Sequence, residues 1–242
     1  MESNSILDEG ESIAASNRKW IGTLKERSQH RMLKSYFEPD LSYHEIPVHT
    51  YIADICRDDL IYEIQTSGFG NLVSKLEVFL QDHEVRVVYP AAVTKKIVWS
   101  DPISGETFVG NSVTKRRVRY KLLSELLYIH KFISDDKFSI IVCETSVTDI
   151  RALDGRGKDR KIKATKLDRV LDGVVSQFVI SSADDIRTFA ELDMGAEYTG
   201  DDFAKRFGLK GRNLSAAVKS LVLLGVIKQK RKEGRRIVYE VC

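Results

Sequence analysis

The sequence has few cysteines and no long apolar run, and each shortage argues against a class of protein. Its three cysteines, Cys56, Cys143 and Cys242, lie far apart and form no CxxC pair or Cys/His zinc pattern, which disfavours a disulfide framework and a zinc finger. No run of about 18 apolar residues occurs, and the polar N-terminus lacks the apolar core of a signal peptide. We therefore expect a cytoplasmic protein that has no membrane partner.

Common catalytic motifs are also absent. The chain has no Walker loop, no GxGxxG and no GxSxG motif, so we expect no nucleotide cofactor and no α/β-hydrolase chemistry. What is present is uneven charge on a chain whose net charge is only +3. Residues 200–242 carry eleven Lys and Arg against four Asp and Glu, and residues 111–169 carry fifteen against eight. Local basic surfaces suggest a polyanionic partner, and a solvated charged face is the alternative.

Hydrophobic periodicity and turn residues predict an α/β protein with a mixed sheet and four segments. These are a flexible N-terminus at 1–17, a core at 18–110, a basic α/β extension and linker at 111–184, and a C-terminal domain at 185–242. In the core, a helix over Arg18–Phe37 precedes three strands, a helix capped by Asn71 and a strand that Pro90 stops. The three strands are Tyr43–Val48, Tyr51–Cys56 and Leu60–Thr66. The order α-β-β-β-α-β implies parallel pairing across the second helix.

The extension alternates between extended and helical patterns. Phe138–Glu144 is predicted as extended, and apolar spacing predicts helices at Leu167–Phe178 and Ser182–Leu192. In the C-terminal domain, Thr199 is the predicted N-cap of a helix at Gly200–Phe207. A Gly-rich turn follows, and then come a helix at Arg212–Leu224 and strands at Val226–Lys230 and Arg235–Val241.

This C-terminal order resembles the winged helix-turn-helix domains of prokaryotic DNA-binding proteins. In those domains the second helix enters the major groove and the wing contacts the backbone. The resemblance implies DNA contacts from Lys210, Arg212, Asn213, Ser215 and Lys219 on or beside the helix, and from Lys228, Lys230, Arg231, Lys232, Arg235 and Arg236 on the wing. Arg and Asn can read base edges, whereas Lys mostly contacts phosphate. The alternative to DNA binding is a domain that only contacts other proteins. The six cations on the wing disfavour this alternative.

Two carboxylates in the core form the other informative group. Strand alternation puts Glu63 and Gln65 on one face of their strand, and the tight turn before it brings Asp54 beside Glu63. A divalent metal held by Asp54, Glu63 and the carbonyl oxygen of Ile64 would relieve the repulsion between the two acids. Mg²⁺ or Mn²⁺ there would lower the pKa of a bound water and offset charge on a phosphodiester. An acidic strand edge on an ordinary α/β domain is the alternative.

The order of elements and acids over residues 22–90 resembles the PD-(D/E)XK, or restriction endonuclease-like, nuclease superfamily. Asp54 matches the Asp of the family, Glu63 matches its Glu, and Glu26 matches a metal-binding Glu of some branches. Gln65 stands where the family usually has Lys, as it does in some restriction enzymes that still cleave. The resemblance implies that Asp54, Glu63 and Gln65 are catalytic and that Glu26 joins the two acids as a metal ligand.

Two more residues are candidates for this site. Lys75, on the following helix, is a candidate catalytic lysine in place of the absent one, and an ordinary exposed lysine is its simpler interpretation. His30 would lie one turn from Glu26, and we interpret it as a surface or packing residue. Two hypotheses result. One is a metal-dependent DNA endonuclease, whose cleavage of both strands would call for a homodimer. The other is a non-catalytic DNA-binding regulator or accessory subunit on a degenerate nuclease scaffold.

Overall fold

The computed structural model describes residues 28–155 and 163–242 and gives them a mixed α/β fold, which confirms the predicted class. The predictions for 1–17, for Glu26 and for the start of the first helix lie outside these residues. The helices are α1 Ser28–Phe37, α2 Val73–Phe79, α3 Leu122–Ile129, α4 Ala183–Phe189, α5 Gly200–Phe207 and α6 Gly211–Leu223. The strands are β1 His44–Val48, β2 Tyr51–Arg57, β3 Leu60–Ile64, β4 Glu84–Ser100, β5 Thr107–Val109, β6 Val113–Thr114, β7 Phe138–Ala152, β8 Thr165–Ile180, β9 Glu197–Thr199, β10 Ile227–Glu233 and β11 Arg236–Val241.

Eight strands form one large mixed sheet. Its main path follows the order β1-β2-β3-β4-β7-β8, while β5 and β6 pair with the far half of β4. Strand β2 pairs antiparallel with β1 on one side and with β3 on the other. Strands β3 and β4 are parallel, from the Leu60–Glu84 pair to the Ile64–Val88 pair, and α2 lies between them in the chain. The predicted order α-β-β-β-α-β and the predicted parallel pairing are therefore confirmed.

Strand β4 continues through Pro90, so the predicted stop at this residue is wrong. The carbonyl oxygen of Val88 accepts the amide of Gln65 on the β3 side, and the backbone of residue 90 faces the same side because directions alternate along a strand. The β3 register ends at Val88 and the β6 register begins at Thr94. Within the described residues no strand pairs with Pro90 on that side, so its missing amide hydrogen costs no ladder bond.

The predicted N-cap at Asn71 is also wrong. A 3-10 turn at Phe69–Leu72 leads into α2, and Leu72 occupies the N-cap position without a side-chain hydrogen bond. The chain enters the helix through a left-handed Gly68 (φ 73°) and not through a polar cap. Glycine suits this position because a Cβ disfavours positive φ.

The segment Leu167–Phe178, predicted as a helix, belongs instead to strand β8, which pairs antiparallel with β7. The β7–β8 ladder contains three register shifts, between Glu144 and Thr145, between Ser146 and Val147, and between Ile150 and Arg151. Each shift inserts an unpaired residue, so the side chains change phase relative to the sheet faces. The two-residue alternation that identifies a strand is therefore broken, and the apolar spacing looks helical.

The large sheet lies between two apolar clusters. Val87 belongs to one and Val88 to the other, because consecutive side chains of a strand point to opposite faces. Helix α1 packs on the smaller cluster through the fully buried Leu33. Leu76 of α2 and Leu126 of α3 lie in the larger cluster. No helix in the described ranges is long and apolar enough to span a membrane.

The C-terminal elements share the larger cluster. The start of α5 is as predicted, because Thr199 and Asp202 form a capping box. Helix α6 packs against α3, buries Leu221, and donates from the Ser220 hydroxyl to the carbonyl oxygen of Leu123 at 2.5 Å. Strands β10 and β11 form a hairpin, and β9 pairs with β11. The C-terminal domain therefore rests on the α/β core through the contact between α3 and α6.

Candidate active site

Asp54 and Glu63 lie side by side on the β2–β3 hairpin. A two-residue turn joins the strands, and its first residue, Asp58, takes the left-handed conformation (φ 51°) that Asp tolerates better than most residues. The amide of Asp54 donates to Glu63 Oε1 at 3.1 Å, and the amide of Ile64 donates to Asp54 Oδ2 at 2.8 Å. These reciprocal bonds hold together the two carboxylates that the sequence singled out.

Lys75 reaches the same carboxylates from α2. Its Nζ donates to Glu63 Oε2 at 2.6 Å, and its side chain is only 18% exposed. Because one loop connects the end of β3 to the start of α2, the first turn of α2, which contains Lys75, lies near Glu63. The simpler interpretation of Lys75 as an ordinary exposed lysine is therefore wrong.

His30 of α1 completes a four-residue cluster, His30, Asp54, Glu63 and Lys75, which we call the carboxylate site. His30 Nε2 lies 3.2 Å from Asp54 Oδ2. His30 is half-buried, and its ring faces an acid of the site, a contact that its interpretation as a surface or packing residue did not include. The sequence carried a signal for this position. Residues three apart share a helix face, so His30 lies on the same face of α1 as the apolar Leu33, which is buried against the sheet.

The two acids of the site differ in proton affinity. Burial raises the pKa of Glu63 to about 7, and the charge of Asp54 acts in the same direction, against the opposing effect of Lys75. Burial also acts to raise the pKa of Asp54, but the hydrogen bond and charge of His30 outweigh it and hold that pKa below its ordinary value. Asp54 is therefore the first of the pair to ionise, and Glu63 becomes ionised around neutral pH.

Gln65 points away from the carboxylate site. Its Nε2 donates to the carbonyl oxygens of Ser67 and Gly68, at 2.6 and 3.4 Å. Glu125 of α3 accepts the amides of Gly68 and Phe69 at 3.0 and 3.1 Å, which fixes the same loop from the other side. Gln65 therefore braces the loop after β3, and the cation of the site comes from α2. Sequence reasoning missed Glu125, because nothing local ties it to a loop more than fifty residues away.

All eleven predicted DNA-contacting residues are exposed on α6, its N-cap and the β10–β11 hairpin. Lys210 is the N-cap residue of α6. Arg212, Ser215 and Lys219 follow at intervals of three and four, so they form one stripe on the helix, away from the buried Leu221. The structure thus presents the predicted helix residues on one continuous exposed surface.

The hairpin cations are largely neutralised within the domain. Lys230 lies 3.0 Å from Glu197 and 2.6 Å from Glu240, and Arg231 lies 2.5 Å from Glu197. Lys228 also pairs with Glu240 at 3.0 Å. Arg231 also lies 2.8 Å from Glu233, and Arg236 lies 3.5 Å from Asp201. Lys232 and Arg235 have no ion pair within the described residues, so the uncompensated charge of the hairpin lies at its tip.

Comparison with known proteins identifies a family without an assigned activity. Residues 27–181, which include the whole carboxylate site and the large sheet, match the model described as Domain of unknown function (DUF8091). An uncharacterized protein of Treponema pallidum (strain Nichols) is 31% identical over 152 residues, covering 62% of this chain, and the chain spans 60% of the length of that relative. No solved structure matches the chain. The family match covers more than half of the chain, and the protein therefore belongs to the DUF8091 family.

Proposed function

We propose that this protein is a metal-dependent DNA endonuclease with a restriction endonuclease-like core and a C-terminal winged helix-turn-helix domain. One observation carries the proposal: the buried carboxylate of Glu63 and the half-buried carboxylate of Asp54 lie side by side on adjacent strands, with the amino group of Lys75 bonded to Glu63. The acids belong to an α-β-β-β-α-β unit in the order that the PD-(D/E)XK resemblance implies. The cation that the sequence lacks at position 65 is supplied by α2.

Mg²⁺ or Mn²⁺ suits the chemistry of the carboxylate site. The donors are hard oxygen ligands, which these ions prefer. The raised pKa of Glu63 reflects two acids held close together in a buried place, and a divalent cation would favour the ionised form of both. Within residues 28–155 and 163–242, no three His, Cys, Asp or Glu side chains are grouped to hold a metal. The metal would therefore rely on Asp54 and Glu63 with backbone or water oxygens.

Each residue of the site has a role in this proposal. Mg²⁺ or Mn²⁺, when bound, would supply an activated water and offset charge on the phosphodiester. Asp54 and Glu63 would hold the metal, and the hydrogen bonds that the backbone amides of Asp54 and Ile64 donate to the two carboxylates fix their spacing. His30 orients Asp54 through Oδ2. Lys75 keeps a positive charge at Glu63, where it can stabilise negative charge that develops on the phosphate in the transition state.

DNA binding is assigned to the C-terminal domain. Its support is the order of α5, turn, α6 and hairpin, together with the exposure of all eleven predicted contact residues. In the winged-helix geometry, α6 would enter the major groove and the tip of the hairpin would contact the backbone. Cleavage of both strands by a chain with one carboxylate site would require two copies, so a homodimer on DNA is part of the proposal.

The test is cleavage of supercoiled plasmid DNA with Mg²⁺, with Mn²⁺ and with EDTA. We expect nicking or linearisation only with a metal, and none with Asp54→Asn or Glu63→Gln. The matched control is Glu77→Gln, because Glu77 is an exposed acid of α2 that pairs with Lys131 on the surface. The Glu77 variant should cleave like wild type.

Metal binding gives a second readout that needs no substrate. A ligand that binds only the folded state at a hundredfold excess over its Kd stabilises it by about 2.7 kcal/mol. Mn²⁺ should therefore raise the Tm of wild type and of Glu77→Gln, and should leave the Tm of Asp54→Asn and Glu63→Gln unchanged. If Mn²⁺ does not move the Tm of wild type and no DNA is cut, the nuclease proposal is wrong.

A non-catalytic DNA-binding protein is the second candidate, and one observation favours it. Lys75 already pairs with Glu63, and backbone amides already bond both acids, so the site is partly satisfied without a metal. In that case the carboxylate site would stabilise a scaffold for the C-terminal domain. DNA binding that is equal in wild type, Asp54→Asn and Glu63→Gln, with no cleavage under any metal, would support this candidate.

A further inference from the structure

A basic segment of the α/β core borders the start of α6. The 3-10 turn Arg116–Lys121 follows β6 directly, and Lys115 precedes it, with its amide bonded to the carbonyl oxygen of Val93 in β4. Together with the turn between α5 and α6, this segment encloses an open groove of about 690 Å³. The groove is lined by Lys115, Arg116, Arg117 and Lys121 on the side of the core, and by Leu209 and Asn213 on the side of the C-terminal domain.

The segment and the helix turn are in direct contact. A Cβ added to Gly208, the left-handed residue that ends α5, would lie 3.3 Å from Cδ of Arg117. The aliphatic part of Arg117 therefore packs over the turn that leads into α6. Asn213, a predicted base-reading residue in the first turn of α6, lines the same groove. The cations thus stand beside the end of α6 that would meet base edges in a helix-turn-helix complex.

The charges of this segment divide into two kinds. Arg119 is structural: it lies 3.0 Å from Glu144 and also pairs with Glu191. Lys115, Arg116 and Arg117 are exposed, Lys121 is half-buried, and across the parts of the chain that the structure describes none of the four has an ion pair. The hairpin differs, because acids of the same domain pair with Lys228, Lys230 and Arg231. The groove therefore holds more uncompensated positive charge than the hairpin.

We propose that Lys115, Arg116, Arg117 and Lys121 form a phosphate-binding wall that grips the DNA backbone beside α6. This inference rests on the proposed DNA binding and adds contacts from the α/β core to it. Arg and Lys side chains that are free of internal ion pairs can neutralise phosphates and release their counterions. Because the wall follows β6 directly and Lys115 is bonded to β4, and both strands belong to the sheet of the carboxylate site, it would also align bound DNA with the core and not only with the C-terminal domain.

The test compares two full-length double variants that lose the same charge. Arg116→Ala/Arg117→Ala removes two cations of the wall. Lys131→Ala/Lys137→Ala removes two exposed cations near the opposite end of the sheet, where Lys131 pairs with Glu77 and Lys137 bonds the carbonyl oxygen of Gln81. The Kd for a fluorescein-labelled DNA duplex is measured by anisotropy in EDTA, so that cleavage plays no part, between about 50 and 200 mM NaCl.

The expected result is a weaker salt dependence for the wall variant. Each lost phosphate contact removes about 0.9 from the slope of log affinity against log salt, so two lost contacts lower it by about 1.8. The control variant should keep the wild-type slope, and both variants should keep the wild-type Tm. If wild type binds DNA and the two variants have equal slopes, the wall is wrong while the proposed function stands. If wild type does not bind duplex DNA at low salt, the DNA-binding proposal itself fails.

Discussion

At the residue scale, the carboxylate site is built around a buried ion pair. Glu63 exposes 4% of its side chain and Lys75 exposes 18%, and their charged atoms lie 2.6 Å apart. Burying a carboxylate without a partner is expensive, so Lys75 contributes to the fold as well as to any chemistry. A test of Lys75 therefore has to separate cleavage from stability, and a second cation introduced at position 65, directly after β3, can do this.

The first residue-scale prediction concerns Lys75. Lys75→Met should lower the cleavage rate by about a hundredfold or more, because it removes the cation that is bonded to Glu63. Lys131→Met, which removes a surface cation paired with Glu77, should cleave like wild type. The measurement is single-turnover cleavage with Mg²⁺, with the Tm of each variant as a check on folding. Equal rates for the two variants would contradict the role of Lys75.

The second residue-scale prediction uses position 65. Gln65 bonds the loop after β3 and leaves the carboxylates to Lys75. Gln65→Lys alone should therefore preserve cleavage, and the double variant Gln65→Lys/Lys75→Met should regain a large part of the activity that Lys75→Met loses. A merely structural Lys75 would give no such rescue. The readout is the cleavage rate of the double variant against that of Lys75→Met at equal Tm.

At the element scale, the long strands β4, β7 and β8 carry their own charge cluster. Asp149 of β7 is fully buried, and four cations surround it. Its carboxylate oxygens lie 2.6 Å from Arg169 Nε, 3.2 Å from Lys166 Nζ, 3.6 Å from Lys95 Nζ and 4.0 Å from Arg151 Nη2. Asp149 therefore holds together basic side chains of three strands that would otherwise repel one another.

A stability prediction follows from Asp149. Burial acts to raise its pKa, but the hydrogen bond and charge of Arg169, with the charge of Lys166, lower it to about 2. A depressed carboxyl pKa gives stability that is present above the unfolded value of 3.8 and is lost as pH falls toward 2. Asp149→Asn should lower the free energy of unfolding by about 3 kcal/mol at pH 7, and this difference should shrink between pH 3.8 and about 2.

Urea unfolding of wild type and variants at several pH values measures this effect. Asp136→Asn is the matched control, because Asp136 is an exposed acid in the turn before β7. Its free energy of unfolding should differ from that of wild type by less than about 0.5 kcal/mol. If Asp149→Asn behaves like the control at pH 7, the cluster does not stabilise the sheet.

The elements also explain what the sequence could predict. The α-β-β-β-α-β order could be predicted because its helices and its first three strands are short and keep their own periodicity, and the Asp54–Glu63 pair followed from one tight turn. Strand β8 could not be predicted from the sequence, since the bulges of the β7–β8 ladder interrupt the two-residue alternation of its apolar side chains. The contacts of Lys75 and Glu125 could not be predicted from local sequence patterns, because they depend on how α2 and α3 pack on the sheet.

The hairpin provides another element-scale prediction. Lys232 and Arg235, at its tip, are unpaired within the described residues, whereas Lys230 and Arg231 pair with Glu197. Lys232→Ala/Arg235→Ala should therefore weaken DNA binding and its salt dependence more than Lys230→Ala/Arg231→Ala, although both remove two charges. Anisotropy titrations of the full-length variants provide the comparison. A larger loss from the paired residues would contradict the assignment of backbone contacts to the tip.

At the scale of the whole molecule, the C-terminal domain and the α/β core share one apolar cluster. Leu123 and Leu126 of α3 and Ala217 and Leu221 of α6 belong to it, and all four are fully buried. The bond from Ser220 to the carbonyl oxygen of Leu123 lies inside the same contact. A helix-turn-helix cut away from the core would expose this apolar surface to water, at a cost that grows with the exposed area. We therefore expect the two parts to unfold as one unit.

Leu221→Ala tests that expectation. The substitution removes a fully buried side chain and should lower the free energy of unfolding by about 2 to 5 kcal/mol. Val222→Ala, one residue on and 40% exposed, is the control and should cost well under about 1 kcal/mol.

Hydrogen exchange followed by mass spectrometry then reports where stability is lost. Because the cluster is continuous, amides of α3 and of the β10–β11 hairpin should lose protection by the same factor in Leu221→Ala. Loss confined to the hairpin and α6 would mean that the C-terminal domain is a separate folding unit, and that DNA bound to it is only loosely positioned against the carboxylate site.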